Sequence, residues 1–300
     1  MQQTFDERNR DLVVNVNGVL AHRDEARISP FDSSVQGGDA VWEGLRLYDG
    51  KIFKLGEHLE RLRHSALALA FAEIPAPEAI TEELRRTLAA NQMRDGVHIR
   101  LTLTRGEKIT SGMDPRLNQS GPTLIVLAEF KAPVYDKQGL TLMTSSVRRF
   151  PPDSLDPKIH SANLIQSILA KIEATAAGAD DALMLDRHGF VAETNATHVF
   201  VVEGGVVRTS RLVACPEGIT RATVLDLCEE HDLPYEVRDL TQAEVYRADE
   251  IFCTGTMGEL AAVTRVDGRT IGDGERGPRT EQLSELFRAL VSRSGTAVCD

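Results

Sequence analysis

Between His98 and Thr104 apolar and polar residues alternate without a break: Ile99, Leu101 and Leu103 point one way, His98, Arg100, Thr102 and Thr104 the other. A period of two is a strand with two unlike faces, and it does not fit a helix. Leu12–Val16 runs into Asn17-Gly18, a two-residue hairpin signal, and Val19-Leu20 begins the return strand. Leu59, Leu62, Ala66, Leu69 and Ala70 recur at helical spacing and predict a helix over 56–72; a second is expected over 77–93, and a buried strand over 122–128. Further on, the pattern predicts a strand over 140–147 and a helix from about 160 to 177, with Ile165, Ile168, Leu169, Ile172 and Ala176 on one face. Short strands are expected at 182–186, 197–202, 206–207 and 250–254, with helices opening near 218 and covering about 280–292. Strands and helices mix without regular alternation, and no G-x-G-x-x-G follows a strand, so the fold class expected is α+β and not a doubly wound dinucleotide fold. The expected division is a small N-terminal domain over 1–131, an interdomain linker over 132–137 and a large domain over 138–300.

Several classes of function are disfavoured by composition. With 42% hydrophobic and 26% charged residues, the chain resembles an ordinary soluble protein able to build its own core. A net charge of -11 argues against nucleic acid, which demands clustered cations. No apolar run approaches the roughly 20 residues that span a bilayer, and Met1–Arg8 holds no apolar leader segment, so neither membrane nor secretion is expected. Cys215, Cys228, Cys253 and Cys299 show no paired or His-rich spacing; no metal site is expected, and a reducing cytoplasm is the expected compartment.

Lysine is scarce, at seven positions. Lys158 stands apart because Asp156-Pro157-Lys158-Ile159-His160-Ser161-Ala162-Asn163 leads into the amphipathic helix of the second unit. A lysine held in a cleft there could lose its proton and form a Schiff base; a lysine on a surface loop would need no explanation.

The motifs around it decide between these readings. Gly38-Asp39-Ala40-Val41-Trp42-Glu43-Gly44-Leu45-Arg46, then His58-Leu59-Glu60-Arg61-Leu62, then Lys158, then Gly189–Phe200, Gly218-Ile219-Thr220-Arg221 and Thr254–Glu259 follow one another. In that order and spacing the chain resembles the class IV (fold type IV) pyridoxal-phosphate-dependent aminotransferases over about 30–280. That family includes branched-chain and D-amino-acid aminotransferases, (R)-selective amine transaminases and aminodeoxychorismate lyases.

The resemblance implies a two-domain enzyme with pyridoxal 5'-phosphate in the cleft between domains, assembled as a homodimer or higher homo-oligomer. The implied reaction moves an amino group from an amino acid or amine to a 2-oxo acid by a ping-pong route. Lys158 matches the lysine that forms the internal aldimine and carries the proton. Counting back from Leu169–Ala174, however, the family's lysine falls at Ile159 or His160, so Lys158 fits if the preceding loop is longer by one or two residues. The alternative is a chain whose lysine position holds His160, able to bind the cofactor without forming the aldimine. Glu193 matches the carboxylate that keeps the pyridine nitrogen protonated, and Arg61 the cation that holds the phosphate. Ile219 and Thr220 match the amides and hydroxyl of a helix N-terminus facing the phosphate, joined by the Thr256 hydroxyl. On the substrate side stand Trp42, Arg100 and His98; Arg100 fits the branched-chain enzymes, whereas His98 stands where they hold a tyrosine. Arg105 is equally well read as a solvated loop cation. A lyase of the aminodeoxychorismate type is a rival that shares Lys158, Glu193 and Arg61, and a rival of another class is a non-catalytic dimeric interaction protein.

Overall fold

The hairpin forms where Asn17-Gly18 signals it, with φ of 51° and 79°, between β1 (Val13–Val16) and β2 (Val19–His22). The computed structural model describes residues 4–132 and 139–299, so the expected linker lies outside the described residues from 133 onward.

The chain divides into two units. The first holds, among the described residues, a seven-stranded sheet that also contains β3 (Ala40–Tyr48), β4 (Lys51–Ile52), β5 (Val97–Thr104), β6 (Thr123–Phe130) and the last strand of the chain, Thr296–Ala297. Its order is Thr296–Ala297, β4, β3, β5, β6, β1, β2. The alternation in β5 works as expected: Ile99, Leu101 and Leu103 are fully buried, and register aligns them with Leu45, Glu43 and Val41 of β3. After the short α1 (Ser33–Gly37), two long helices, α2 (Leu55–Ala68) and α3 (Pro77–Ala90), supply the other half of this core. Leu55, Leu59, Leu62 and Ala66 of α2, with Ile80, Leu84 and Leu88 of α3, recur at helical spacing and are almost wholly buried.

In the second unit a mixed sheet of nine strands forms, again among the described residues: β7 (Leu140–Thr144), β8 (Asp181–Leu185), β9 (Val191–Thr194), β10 (His198–Glu203), β11 (Val206–Thr209), β12 (Tyr235–Val237), β13 (Glu250–Gly255), β14 (Glu259–Val266) and β15 (Arg269–Thr270). β7 runs parallel to both β8 and β14, and β11 to β12; the other pairings are antiparallel. α4 (Ile165–Ala176), α5 (Ile219–Glu230), α6 (Gln242–Tyr246) and α7 (Pro278–Arg293) complete it. Helices and mixed sheets of this kind make the fold class α+β.

Two findings depart from the sequence expectation. Residues 159–163 and 291–300 group with the first unit, not with the second. The helix expected from about 160 therefore begins only at Ile165, because 159–163 runs along β3 beyond the end of β4. There Val41 bridges Ser161, Trp42 N donates to His160 O at 3.1 Å, and Ala162 N donates to Ala40 O at 2.8 Å. Within α4 the buried residues are Gln166, Ala170 and Ala174, while Ile165, Ile168, Leu169 and Ile172 stay 47–58% exposed.

Candidate functional site

The second unit holds Lys158, Glu193, Ile219 and Thr220, and places Thr256 in the turn after β13. Glu193 lies in β9, 3% exposed, and its Oε1 accepts from Arg149 at 2.9 Å. Arg149 also donates to Thr194 O at 2.9 Å and to Ser167 Oγ at 3.1 Å, so two further groups orient the guanidinium that orients Glu193. The turn after Glu193 is tied by side chains: Thr194 Oγ1 accepts from Thr197 N at 2.8 Å, and Asn195 Oδ1 accepts from Ala182 N at 2.7 Å. Arg149 supplies the charge that offsets the burial of this carboxylate.

α5 starts at Ile219, and Gly218 before it offers no side-chain cap. Its first amides therefore point outward with the positive end of a three-turn helix behind them, the ordinary form of a phosphate site. Thr220 is 6% exposed there. Glycine at 218 is a steric demand: a Cβ would sit 2.3 Å from the His198 imidazole. Nearby, the Thr254 hydroxyl is buried without a hydrogen-bond partner. Lys158 is half exposed, its Nζ 3.7 Å from Glu217 Oε1, one residue before that helix cap. Burial pushes the Cys215 thiol far up its range, and the Glu193 charge adds to this, so the thiol keeps its proton.

The first unit holds a second cluster, built on Glu43. Pleating places this residue on the apolar face of β3, between Val41 and Leu45, with no exposure at all. Arg61 of α2 grips it through a fork, Nε to Oε1 at 2.8 Å and Nη2 to Oε2 at 2.7 Å; His58 donates from Nδ1 to Oε2 at 2.6 Å. Burial alone would raise the Glu43 pKa, but Arg61, His160 and His58 together hold it well below the carboxylate range. Arg61, expected on the phosphate, thus commits its Nε edge to Glu43.

His160 is pinned three ways. Its N donates to Ser65 Oγ at 3.0 Å, its Nδ1 lies 2.5 Å from Trp42 O and 3.5 Å from Glu43 Oε1, and its ring stacks on Trp42 at 4.4 Å. A carbonyl only accepts, so Nδ1 carries the proton. Trp42 donates from Nε1 to Ser161 O at 3.1 Å and carries the Arg100 guanidinium 3.5 Å over its ring. Arg100 and His98 share the polar face of β5 as expected, and burial brings the Arg100 pKa down to about 10. Arg105 is no solvated cation: it forks onto Asp39 at 2.6 and 3.1 Å.

The sequence reading missed the partnerships that hold these residues, Arg149 with Glu193 and Glu43 with Arg61. Arg149 and Glu193 lie 44 positions apart, and no local pattern joins them. Glu43 carried a signal: it is the one charge at an odd position between Val41 and Leu47, where the register demands an apolar residue.

Burial, with Lys131, Arg46 and Arg100 nearby, lowers the His98 pKa from 6.5 to about 3. Below about 6.5 the unfolded chain binds a proton that the native state refuses until about 3. Stability should therefore fall with pH across that window, by at most about 1.4 kcal/mol per unit from this residue. Urea denaturation of His98→Gln against the wild type should show a shallower loss over the window. In Glu43→Ala the loss should be about 3–5 kcal/mol at neutral pH, because it removes the carboxylate that the largely buried Arg61 guanidinium grips through two bonds.

The amino-transferase class IV family profile matches residues 40–266. Branched-chain-amino-acid aminotransferase-like protein 2 of Arabidopsis thaliana is 51% identical over 97% of this chain, which spans 52% of that protein. The chain thus covers about half the length of that relative. D-alanine aminotransferase of Bacillus licheniformis is 33% identical over 96% of this chain and 100% of its own length. Among solved structures, the T.th. branched-chain amino acid aminotransferase complexed with N-(5'-phosphopyridoxyl)-L-glutamate superposes with a TM-score of 0.87 at 34% identity, covering 95% of both chains. The chain belongs to the class IV aminotransferase family.

Proposed function

We propose that this protein moves an amino group from an amino acid or amine to a 2-oxo acid, with pyridoxal 5'-phosphate as its cofactor. The observation that carries this reading is the pairing, in one unit, of the buried Glu193 carboxylate with the uncapped N-terminus of α5. These two groups suit opposite ends of the same molecule, a protonated pyridine ring and a phosphate. The branched-chain and D-alanine aminotransferase relatives, and the phosphopyridoxyl ligand in the similar structure, support it.

When bound, the cofactor supplies an electron sink for the carbon that loses its proton. The chain's own residues do the rest. Glu193, held by Arg149, keeps a proton on the ring nitrogen. The amides of Ile219 and Thr220 and the hydroxyls of Thr220 and Thr256 receive the phosphate. Arg61 matches a phosphate ligand only through the family resemblance; in the first unit Glu43 uses the Nε and Nη2 edge of its guanidinium. Lys158 is the proposed amine that takes the proton from the substrate carbon and returns it. Its partner, Glu217 at 3.7 Å on a half-exposed surface, holds it only loosely, so the side chain can swing away from that contact.

A second reading draws on the immobilisation of His160. In it the lysine position is held by His160, and the cofactor binds without a covalent link. Borohydride reduction after cofactor loading, followed by peptide mass spectrometry, separates the two. The proposal expects the phosphopyridoxyl mass on Lys158, and an unmodified Lys158 in a loaded protein would support the second reading. Lys158→Ala should lose transaminase turnover while keeping its circular dichroism, and substantial remaining turnover would remove Lys158 from its role.

A homodimer is proposed on the exposed α4 stripe. Ile165, Ile168, Leu169 and Ile172 follow one another at i, i+3, i+4 and i+7, a seam that water does not favour. The proposed cover is a second copy of this chain. Ile168→Glu with Ile172→Glu should sediment as a monomer where the wild type sediments as a dimer. The cytoplasm is the proposed compartment; Cys215, Cys228 and Cys253 are free, buried thiols, and no helix among the described residues is long and apolar enough to cross a membrane.

A further inference from the structure

Arg221 lies in the first turn of α5, and only 5% of it is exposed. Two effects make this an unfavourable place for a cation. Burial lowers its pKa, and the N-terminus of a helix already carries the partial positive charge of its unpaired amides. The guanidinium has one hydrogen bond, from Nη2 to the Ser210 carbonyl at 2.9 Å, and its Nε has none. Arg221 forms no ion pair among the described residues. Of the acids in this part of the second unit, Glu193 pairs with Arg149 and Glu217 faces Lys158.

The surroundings add to the imbalance. Cys215 is fully buried, and the charges acting on its thiol are one carboxylate, Glu193, against three cations, Arg221, Arg149 and Lys158. Beside the start of α5 stands a second buried polar atom without a partner, the Thr254 hydroxyl, on a residue 1% exposed. Register sets Thr254 opposite His198, and the His198 imidazole is the group that a side chain at 218 would strike. Arg221 borders the same point, since its Cβ lies 3.3 Å from where a Cβ on residue 218 would stand. A buried cation, a buried hydroxyl and the first amides of α5 thus converge on Gly218. An anion there would satisfy the amides and the hydroxyl and offset both the dipole and the burial that oppose Arg221.

We propose that Arg221 is the counter-charge of the anion bound at the N-terminus of α5, and that it selects a phosphorylated ligand over its unphosphorylated counterpart. This rests on the cofactor assigned above and adds a residue to its recognition. The other use of a buried arginine is to tether the chain, here at Ser210, and a tether is indifferent to the charge of the ligand. A charge on the first turn of a helix lies within about 10 Å of an ion at its end. At that range inside a protein one unit charge changes the affinity for another by about tenfold, and a dianion feels it more.

Equilibrium dialysis of the full chain, freed of cofactor, against pyridoxal 5'-phosphate and against pyridoxal tests this without turnover, with inorganic phosphate as a competitor. Arg221→Met should weaken pyridoxal 5'-phosphate and inorganic phosphate about tenfold or more, and leave pyridoxal within about twofold. Arg221→Lys keeps the charge without the planar fork, and should retain most of the preference for the phosphorylated form. Equal weakening of the two pyridoxal forms makes Arg221 a tether and overturns the proposal, as does a preference untouched by Arg221→Met. Where circular dichroism shows that Arg221→Met does not fold, the lysine variant decides: a folded Arg221→Lys that keeps the phosphate preference supports the proposal, and one that loses it overturns it. A chain that binds phosphate through Arg221 but transfers no amino group overturns the amino-transfer reading and supports this one. An active transaminase whose phosphate preference ignores Arg221 does the reverse.

Discussion

A single buried carboxylate organises the first unit. Glu43 sits on the apolar face of a central strand, where nothing but three donors keeps it ionised. Arg61 and His58 come from one helix and His160 from a segment more than a hundred residues away, so the charge fixes a helix and a distant loop against the same point of the sheet. The dependence continues outward. His160 anchors the Trp42 ring, and Trp42 carries Arg100, so the position of this cation on one face of the sheet traces back to the carboxylate on the other. Such a network is worth little as net stability, because desolvation offsets its Coulomb gain. Its effect is geometric, since each member loses its partner if another moves.

The two candidate clusters solve opposite electrostatic problems. Around Glu193 the charge is already matched by Arg149, and what stands open is a helix terminus with uncommitted amides. On the face of the first sheet away from α2 and α3, Arg46 and Arg100 form no ion pair among the described residues. A net charge of -11 says nothing of either, since both depend on a handful of side chains within a few ångströms.

Elements with one dry face were legible in the sequence. β5 alternates because one side meets α2 and α3 and the other does not, and α2 shows its stripe for the same reason. β3 gave no such signal, although it is the longest strand of its sheet: it is buried on both faces, and Glu43 and Gly44 interrupt its apolar run. α4 misled in another way. Its apolar stripe is real, but within the chain the helix packs through Gln166 and two alanines, so periodicity located a hydrophobic face without saying what would cover it. At the site, the order of short motifs pointed to Glu193, Thr220 and Lys158, whereas Arg149 and the role of Glu43 are pairings across long sequence gaps that only the fold reveals.

Residues 159–163 complete an edge of β3, and Thr296–Ala297 completes another at β4, although both come from chain that follows the first unit's other strands. A ribosome releases this protein from its N-terminus, so the β3 stretch is bare only until 159–163 emerges, whereas β4 waits for its partner until nearly the whole chain is made. Unpaired strand edges are where chains stick to one another. The nascent protein is therefore most exposed to aggregation late, after its early unit has acquired nearly all its core, and cutting that unit out as a contiguous fragment would make the exposure permanent.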